Sequence, residues 1–442
     1  MTKQVVAIVG RPNVGKSSFF NAVIGERISI VHNTPGITRD RIYAEAEWLG
    51  REFVLVDTGG IEPDNDDIIL RQMRDQAEVA IRHADVIVFM TELKTGLLPA
   101  DEEIAVMLRK SGKPVVVAVN KCDNVGDPPP EIYDFYQLGI SDVVPISAEH
   151  RLGLGELFDS IVAKLTEPEM TEDDDDRVSV AIIGKPNVGK SSLVNKMLGE
   201  ERTIVSDIAG TTRDALDIDL DHETGRYRLI DTAGLRRKSK VSDRIEKYSI
   251  LRTVSAVERS TVCLILIDAT EGVTEQDTKV AGLAHNAGKA SIIVVNKWDL
   301  VEDKEKARQD LEADIARRFA FMSYAPHVFI SAKTGARFGA LYETIQLVAE
   351  EAGKRLSTGV INDVLGEAVA MNPAPQDKGK RLRLYYGTQV ASHPPTLLFF
   401  VNDNKLMHFS YERYLENQFR KNFGFEGSPL RMIFRNRKRE ER

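Results

Sequence analysis

The chain has 442 residues, 42% apolar and 29% charged, a balance that fits a soluble globular protein of roughly three domains. Its N-terminus runs straight into a strand-like segment, and its apolar runs, such as TVCLILIDA at 261–269, are far too short to span a bilayer. Cys122 and Cys263 have no disulfide-framework or metal-site spacing. Secreted scaffolds, zinc modules and integral membrane proteins are therefore excluded, and a reducing cytoplasm is expected. The net charge of −8 is uneven: residues 353–442 carry 16 Lys+Arg against 9 Asp+Glu, leaving −15 for residues 1–352. A basic end on an acidic body suggests contact with a polyanion.

In chain order, QVVAIVG (4–10), FVLVD (53–57), DVIVFM (85–90), PVVVAVN (114–120) and VVPIS (143–147) read as strands buried on both faces. GKSSFFNAVIG (15–25) and DEEIAVMLRKSG (101–112) read as helices between them. Continuous apolar strands alternating with helices predict α/β architecture, a doubly wound and mostly parallel sheet. The acidic stretch TEPEMTEDDDD (166–176) reads as an extended linker. The whole pattern then repeats. Lys16 and Lys190, Thr38 and Thr212, and Asp57 and Asp231 are each 174 residues apart, and later motifs drift to 176 and 184 through small insertions. The predicted domains are 1–165, 177–352 and a small α+β domain at 353–442. The last contains strands RLRLYYGTQ, TLLFFVND and PLRMIFRNR and the helix SYERYLENQFRKNF.

GRPNVGKSS from Gly10 and GKPNVGKSS from Gly184 are phosphate-binding loops, each following an apolar strand and opening a helix. Backbone N–H groups around Gly10, Gly15, Gly184 and Gly189 would hold phosphate oxygens at the helix N-terminus. Lys16 and Lys190 would reach the β- and γ-phosphates. Ser17 and Ser191 would hold Mg²⁺, with Ser18 and Ser192 beside them. DTGG and DTAG supply Asp57 and Asp231 to the Mg²⁺ shell, and Gly60 and Gly234 a backbone N–H that senses the γ-phosphate. Thr38 and Thr212, between these motifs, are assigned to Mg²⁺ and γ-phosphate in a segment that responds to hydrolysis.

NKCD (Asn120, Lys121, Asp123) and NKWD (Asn296, Lys297, Asp299) select the base. A carboxylate accepts from the ring N–H and exocyclic amine of guanine, whereas adenine offers it an acceptor. Ser147-Ala148 and Ser331-Ala332 would support the guanine carbonyl. The nucleotide is therefore GTP or GDP. Ile61 and Leu235 stand where many related GTPases place a water-orienting glutamine. Asn13 and Asn187 have two readings: each holds a K⁺ ion that supplies positive charge to the reaction, or each only shapes the turn.

Tandem GTPase units, an acidic linker, a basic C-terminal domain and the motifs RPNVGKSS, TPGITRDR, DTGGIE, KPNVGKSS, AGTTRD and DTAGLRRK resemble the Der (EngA) family of bacterial ribosome-assembly GTPases over essentially the whole chain. The resemblance implies a KH-like C-terminal domain and a role in maturing the large ribosomal subunit, with ribosomal RNA and proteins as partners. It also implies K⁺-stimulated hydrolysis, with Asn13 and Asn187 as the matching positions. A monomer is expected, with neither DNA nor an integral membrane association. Two departures are noted. Glu92 stands opposite Asp268, and the C-terminal domain is read as lacking the GxxG loop by which ordinary KH domains clamp a nucleic-acid backbone. Arg381, Arg383, Arg420, Lys421 and the tail RNRKRE are the candidate phosphate contacts.

A GTP-hydrolysing assembly switch is weighed against a nucleotide-gated RNA-binding scaffold with little turnover. A tRNA-modification or membrane-associated GTPase has no supporting segment. The second switches differ in charge: GGIEPDNDD (59–67) is acidic and AGLRRKSK (233–240) basic. The acidic one is expected to face protein, with the first copy swinging against the C-terminal domain as its nucleotide changes. Arg236, Arg237, Lys238 and Lys240 are expected to meet RNA or the C-terminal domain.

Overall fold

The computed structural model describes residues 3–24, 43–58, 66–123, 129–166, 176–199, 204–206, 217–232, 248–374, 376–377 and 380–437. They fall into two compact units. In the first unit, β1 (Gln4–Gly10), β2 (Tyr43–Trp48), β3 (Arg51–Asp57), β4 (Val86–Glu92), β5 (Val115–Asn120) and β6 (Val143–Pro145) form one sheet. Its order is β2-β3-β1-β4-β5-β6. Helices Lys16–Ile24, Asp66–His83, Pro99–Lys110 and Leu154–Lys164 accompany it. Every residue of β4 and β5 is buried, because a parallel strand between two helical layers has no solvent face. That is why these strands read as unbroken apolar runs.

The edge strand β2 is the exception. YAEAEW alternates in character and pairs antiparallel with β3. The two are joined through Leu49 and Gly50, whose φ values of 50° and 78° make the two-residue turn that suits a twisted hairpin. Its Glu45 is buried and paired with Lys3 at 2.6 Å. A half-polar edge strand carries no continuous apolar signal, so the sequence reading passes it over.

The second unit repeats this plan with β7 (Val178–Ile183), β8 (Ile204–Ser206), β9 (Ile218–His222), β10 (Gly225–Ile230), β11 (Val262–Asp268), β12 (Ala290–Asn296) and β13 (His327–Phe329). The order is β13-β12-β11-β7-β10-β9-β8, with β8 and β9 the antiparallel edge. The two-copy, mostly parallel architecture is the one expected.

The same unit carries the C-terminal α+β part. The two-stranded β14 (Gln376–Asp377) and β15 (Lys380–Arg381) precede a three-stranded sheet of β16 (Leu384–Ser392), β17 (Pro395–Val401) and β18 (Arg431–Asn436). Helices Thr358–Met371 and Phe409–Phe423 supply Ile361, Leu365, Leu415 and Phe419 to a core shared with Leu397, Phe399 and Val401. The first of these helices is not among the elements read from sequence.

Two expectations for this part are corrected. The chain does contain a GxxG spacing, Gly424-Phe425-Glu426-Gly427. That segment is packed against the GTPase part of its own unit. The Phe425 side chain is fully buried and its N–H donates to Glu351 Oε2 at 2.6 Å. The Gly427 N–H donates to the Tyr324 carbonyl at 2.8 Å, and its carbonyl accepts from Ser291 N–H at 2.7 Å. Those backbone groups are committed to the protein, so the tetrad does not form an open clamp. Arg420 is not an open phosphate contact either. It pairs with Glu416 at 2.9 Å, donates to the carbonyls of Phe425 and Ser428 at 3.0 and 3.1 Å, and lies 5.2 Å over the Tyr324 ring. Its donors hold the tetrad segment within the C-terminal part, and its charge meets the GTPase part at the Tyr324 ring.

Candidate nucleotide sites

Both loops form at the carboxyl end of the central strand, where strand order reverses, the place at which open α/β sheets bind ligands. Their glycines answer to close approaches. A Cβ on Gly15 would lie 2.1 Å from Asn120 Nδ2, and one on Gly189 2.2 Å from Asn296 Nδ2. A Cβ on Gly10 would lie 2.3 Å from the Met90 carbonyl oxygen. The turn also needs left-handed backbone at Asn13 (φ 64°) and Asn187 (φ 63°), which asparagine tolerates better than most residues. Asparagine therefore suits the backbone of this turn in both copies, a demand that leaves its side chain open to either reading.

The lysines curl over the loops that carry them. Lys16 Nζ donates to the carbonyls of Gly10 and Arg11 at 2.7 and 2.5 Å, and Lys190 Nζ to those of Gly184 and Lys185 at 2.6 and 2.7 Å. Burial lowers Lys16 to about 8; the Asp57 carboxylate opposes that shift and the Arg11 charge adds to it. Ser17 Oγ donates to Asp57 Oδ2 at 3.2 Å, so a hydroxyl and a carboxylate from different elements meet at the loop. In the second copy Asp231 takes left-handed backbone (φ 55°), and its N–H donates to Asp217 Oδ1 at 2.9 Å.

Asn120 and Asn296 are the pivots. Asn120 Nδ2 donates to the Val14 carbonyl at 2.8 Å and its Oδ1 accepts from Ala148 N–H at 2.9 Å. Asn296 repeats both bonds with Val188 and Ala332 at the same distances. One buried carboxamide therefore locks the phosphate loop to the Ser-Ala loop, bringing three separated motifs into one pocket wall. Asp123 Oδ1 accepts from Ser147 Oγ at 2.9 Å and its Oδ2 pairs with Lys94 at 3.1 Å. These two partners hold its carboxyl below the usual range. Asp299 is exposed. Ser331 takes part in an isolated bridge with Ala336, as Ser147 does with Leu152.

Sequence reasoning missed two sets of contacts. Glu92 and Asp268, noted only as a mismatch, share one role: each pairs with the lysine of NKxD, Lys121 at 2.8 Å and Lys297 at 2.5 Å. The second set ties each phosphate loop to the helix after β4 in the first copy (Pro99–Lys110) and to the start of the helix after β11 in the second (Glu275–Asn286). Arg11 Nε donates to the fully buried Asp101 at 2.8 Å and its Nη2 to Thr95 at 3.1 Å. Lys185 pairs with Glu271 at 2.8 Å, donates to Thr274 at 3.3 Å and lies 3.5 Å from Asp277. Burial raises Asp101 against the lowering pull of Arg11. Burial alone would lower Lys185, but its bond to Glu271 and the Asp277 charge outweigh it and raise the amine. The available signal was the basic residue following the first glycine in both copies.

Thr38, Gly60, Thr212 and Gly234 lie outside the described residues, as do Ile61, Leu235 and the basic run Arg236, Arg237, Lys238 and Lys240. Among the described residues no helix is long and apolar enough to cross a membrane.

A family model described as "50S ribosome-binding GTPase" matches residues 5–121 and 179–297. One described as "KH-domain-like of EngA bacterial GTPase enzymes, C-terminal" matches residues 355–435. The chain is 57% identical over 440 residues to the GTPase Der of Ruminiclostridium cellulolyticum, covering 100% of both chains. It is 56% identical over 440 residues to that of Acetivibrio thermocellus, again covering 100% of both. To that of Alkaliphilus metalliredigens it is 57% identical over 435 residues, covering 98% of this chain and 99% of the relative.

Proposed function

The chain belongs to the GTPase Der family and is a GTPase, and from that premise we propose that both copies hydrolyse GTP as a switch in maturation of the large ribosomal subunit. The observation that carries the two-site part is the Asn120 and Asn296 bridge, made with matching partners and distances in each copy. A site that fixes its phosphate loop to its base-reading loop can measure a nucleoside triphosphate from both ends. The ribosome binding by which the matching GTPase family is described supports the partner.

In this reading the loop N–H groups hold the phosphates, and Lys16 and Lys190 turn from their loop carbonyls to the β- and γ-oxygens. Asp123 and Asp299 accept from guanine. Ser17 and Asp57 fit Mg²⁺, because a hydroxyl and a carboxylate oxygen 3.2 Å apart are the hard ligands it takes. Ser191 and Asp231 are the matching pair, and Thr38 and Thr212 complete each set. Bound Mg²⁺ would neutralise charge on the β- and γ-phosphates. The exposed carboxamides of Asn13 and Asn187, beside the phosphates, are assigned to K⁺. With Ile61 and Leu235 unable to orient water, a cation there would supply charge stabilisation that the side chains lack. Gly60 and Gly234 report the γ-phosphate to the second switches.

Co-sedimentation with purified ribosomal subunits in K⁺ buffer tests this. Binding to the large subunit with a non-hydrolysable GTP analogue and not with GDP is the expected result. No binding in any nucleotide state would remove the ribosomal role. Turnover unchanged when Na⁺ replaces K⁺ would refute the cation assignment alone.

A further inference from the structure

The C-terminal sheet has two faces of opposite character. Leu397, Phe399 and Val401 of β17 point into the core beneath the two helices. Alternation puts Leu398 and Phe400 on the other face. There the register sets Leu398 between Thr388 and Ile433, and Phe400 between Tyr386 and Arg435. This face is open: Tyr385 is 43% exposed, Tyr386 44% and Ile433 40%. A register shift between Leu384 and Tyr386 lets two consecutive tyrosines lie outside the core, which a regular strand would not allow.

The aromatic groups on this face are arranged as flat surfaces. The Tyr386 and Phe400 rings stack at 4.6 Å with 20° between their planes. The Arg437 guanidinium lies 5.2 Å over the Tyr385 ring. Arg435 is exposed beside Phe400 in the ladder, and Arg383, exposed ahead of the inward-packed Leu384, falls on the same side. No strand of the sheet carries a carboxylate. Aromatic rings with guanidinium groups and no acid make a surface for a polyanion that also presents flat apolar groups. Unpaired nucleic-acid bases on a phosphate backbone have that chemistry. A protein partner would need only the apolar rows.

We propose that this open face, through Tyr385, Tyr386, Phe400, Arg383, Arg435 and Arg437, is a docking surface for single-stranded RNA. Bases stack on the tyrosines and the arginines meet the phosphates. The choice of RNA rests on the ribosomal reading above and specifies where in the chain the RNA lies. The GxxG tetrad does not compete for it, since its backbone is bonded to the GTPase part. An A-form duplex hides its base faces in its own stack, so it is the weaker ligand.

Fluorescence anisotropy of the full chain with a labelled mixed-sequence RNA strand of about 12 nucleotides tests the surface. Tyr385→Ser with Tyr386→Ser is expected to weaken strand binding about 10-fold or more. Arg435→Glu with Arg437→Glu is expected to weaken it comparably and to flatten its salt dependence. GTP turnover should stay unchanged in both variants, which shows that they fold. Unchanged strand affinity in both variants overturns the proposal, and so does a duplex bound as tightly as the strand. Loss of a ribosomal protein by the variants, with RNA binding intact, overturns it in favour of a protein surface. Loss of strand binding in the variants, alongside failure of the wild-type chain to sediment with the large subunit, would remove the ribosomal role and leave the RNA surface standing.

Discussion

The two GTPase copies agree where backbone geometry is demanded and differ where only charge is demanded. Asn120 and Asn296 make the same pair of bonds, and Asn13 and Asn187 the same left-handed turn. The ties behind the loops are not conserved in kind. In the first copy one arginine neutralises one fully buried carboxylate. In the second a lysine divides itself between the exposed Glu271 and the buried Asp277, and Asp277 is also held by Thr274 through its N–H and hydroxyl. Without its cation Asp101 keeps one donor, the Leu98 N–H at 3.1 Å, whereas Asp277 keeps two, the Thr274 N–H at 2.8 Å and its hydroxyl at 2.6 Å. Equal architecture can therefore hide unequal sensitivity to a single substitution.

Removing the ties should separate the two copies by the largest margin. Arg11→Ala leaves the Asp101 carboxyl buried beside no cation and should cost about 3–5 kcal/mol in the first copy. Lys185→Ala, with Asp277 still bonded to Thr274, should cost only about 1–2 kcal/mol in the second. Urea unfolding followed by hydrogen exchange on peptides from each copy reads the two separately. Equal losses would show that the difference in wiring has no energetic consequence.

The next largest effect tests whether both copies act on phosphate. Lys16→Ala and Lys190→Ala should each reduce turnover at their own site about 100- to 1000-fold, the usual cost of one transition-state donor, and leave the other site working. Single-turnover hydrolysis by each variant and by the double variant measures this. A single variant that abolishes all hydrolysis would assign the chemistry to one copy.

The smallest effect sharpens the first site alone. Lys16 titrates at about 8 rather than at its ordinary 10.5. Phosphate oxygens favour its charged form, so GTP binding there should take up a proton when the solution lies above pH 8. Affinity should then fall by up to about tenfold per pH unit above that value. Titration calorimetry in buffers of different ionisation enthalpy reads the proton uptake directly. Lys16→Arg should remove it, because a guanidinium stays charged throughout.

Much of this was legible in the letters, for reasons that differ by region. β4 and β5 are buried on both faces, so their sequence is continuously apolar, and the phosphate loops are short motifs fixed by backbone requirements. The edge strand β2 was not legible, because a half-exposed strand with Glu45 and Glu47 has no such run. Nor were the partners of Asn120, since the Val14 carbonyl and the Ala148 N–H belong to the backbone and have no letter of their own. Arg11 and Asp101 lie 90 residues apart and meet only after the sheet is assembled. The tetrad Gly424–427 has the spacing of a nucleic-acid clamp, yet only the fold shows its backbone bonded to Ser291 and Tyr324.

Two complete guanine-nucleotide sites on one chain are what the proposed function requires. Equilibrium binding of a fluorescent GDP analogue, challenged with excess ATP and then with excess GTP, tests it most directly. Two equivalents are expected to bind per chain, neither displaced by ATP and both displaced by GTP. One equivalent, or displacement by ATP, would contradict it.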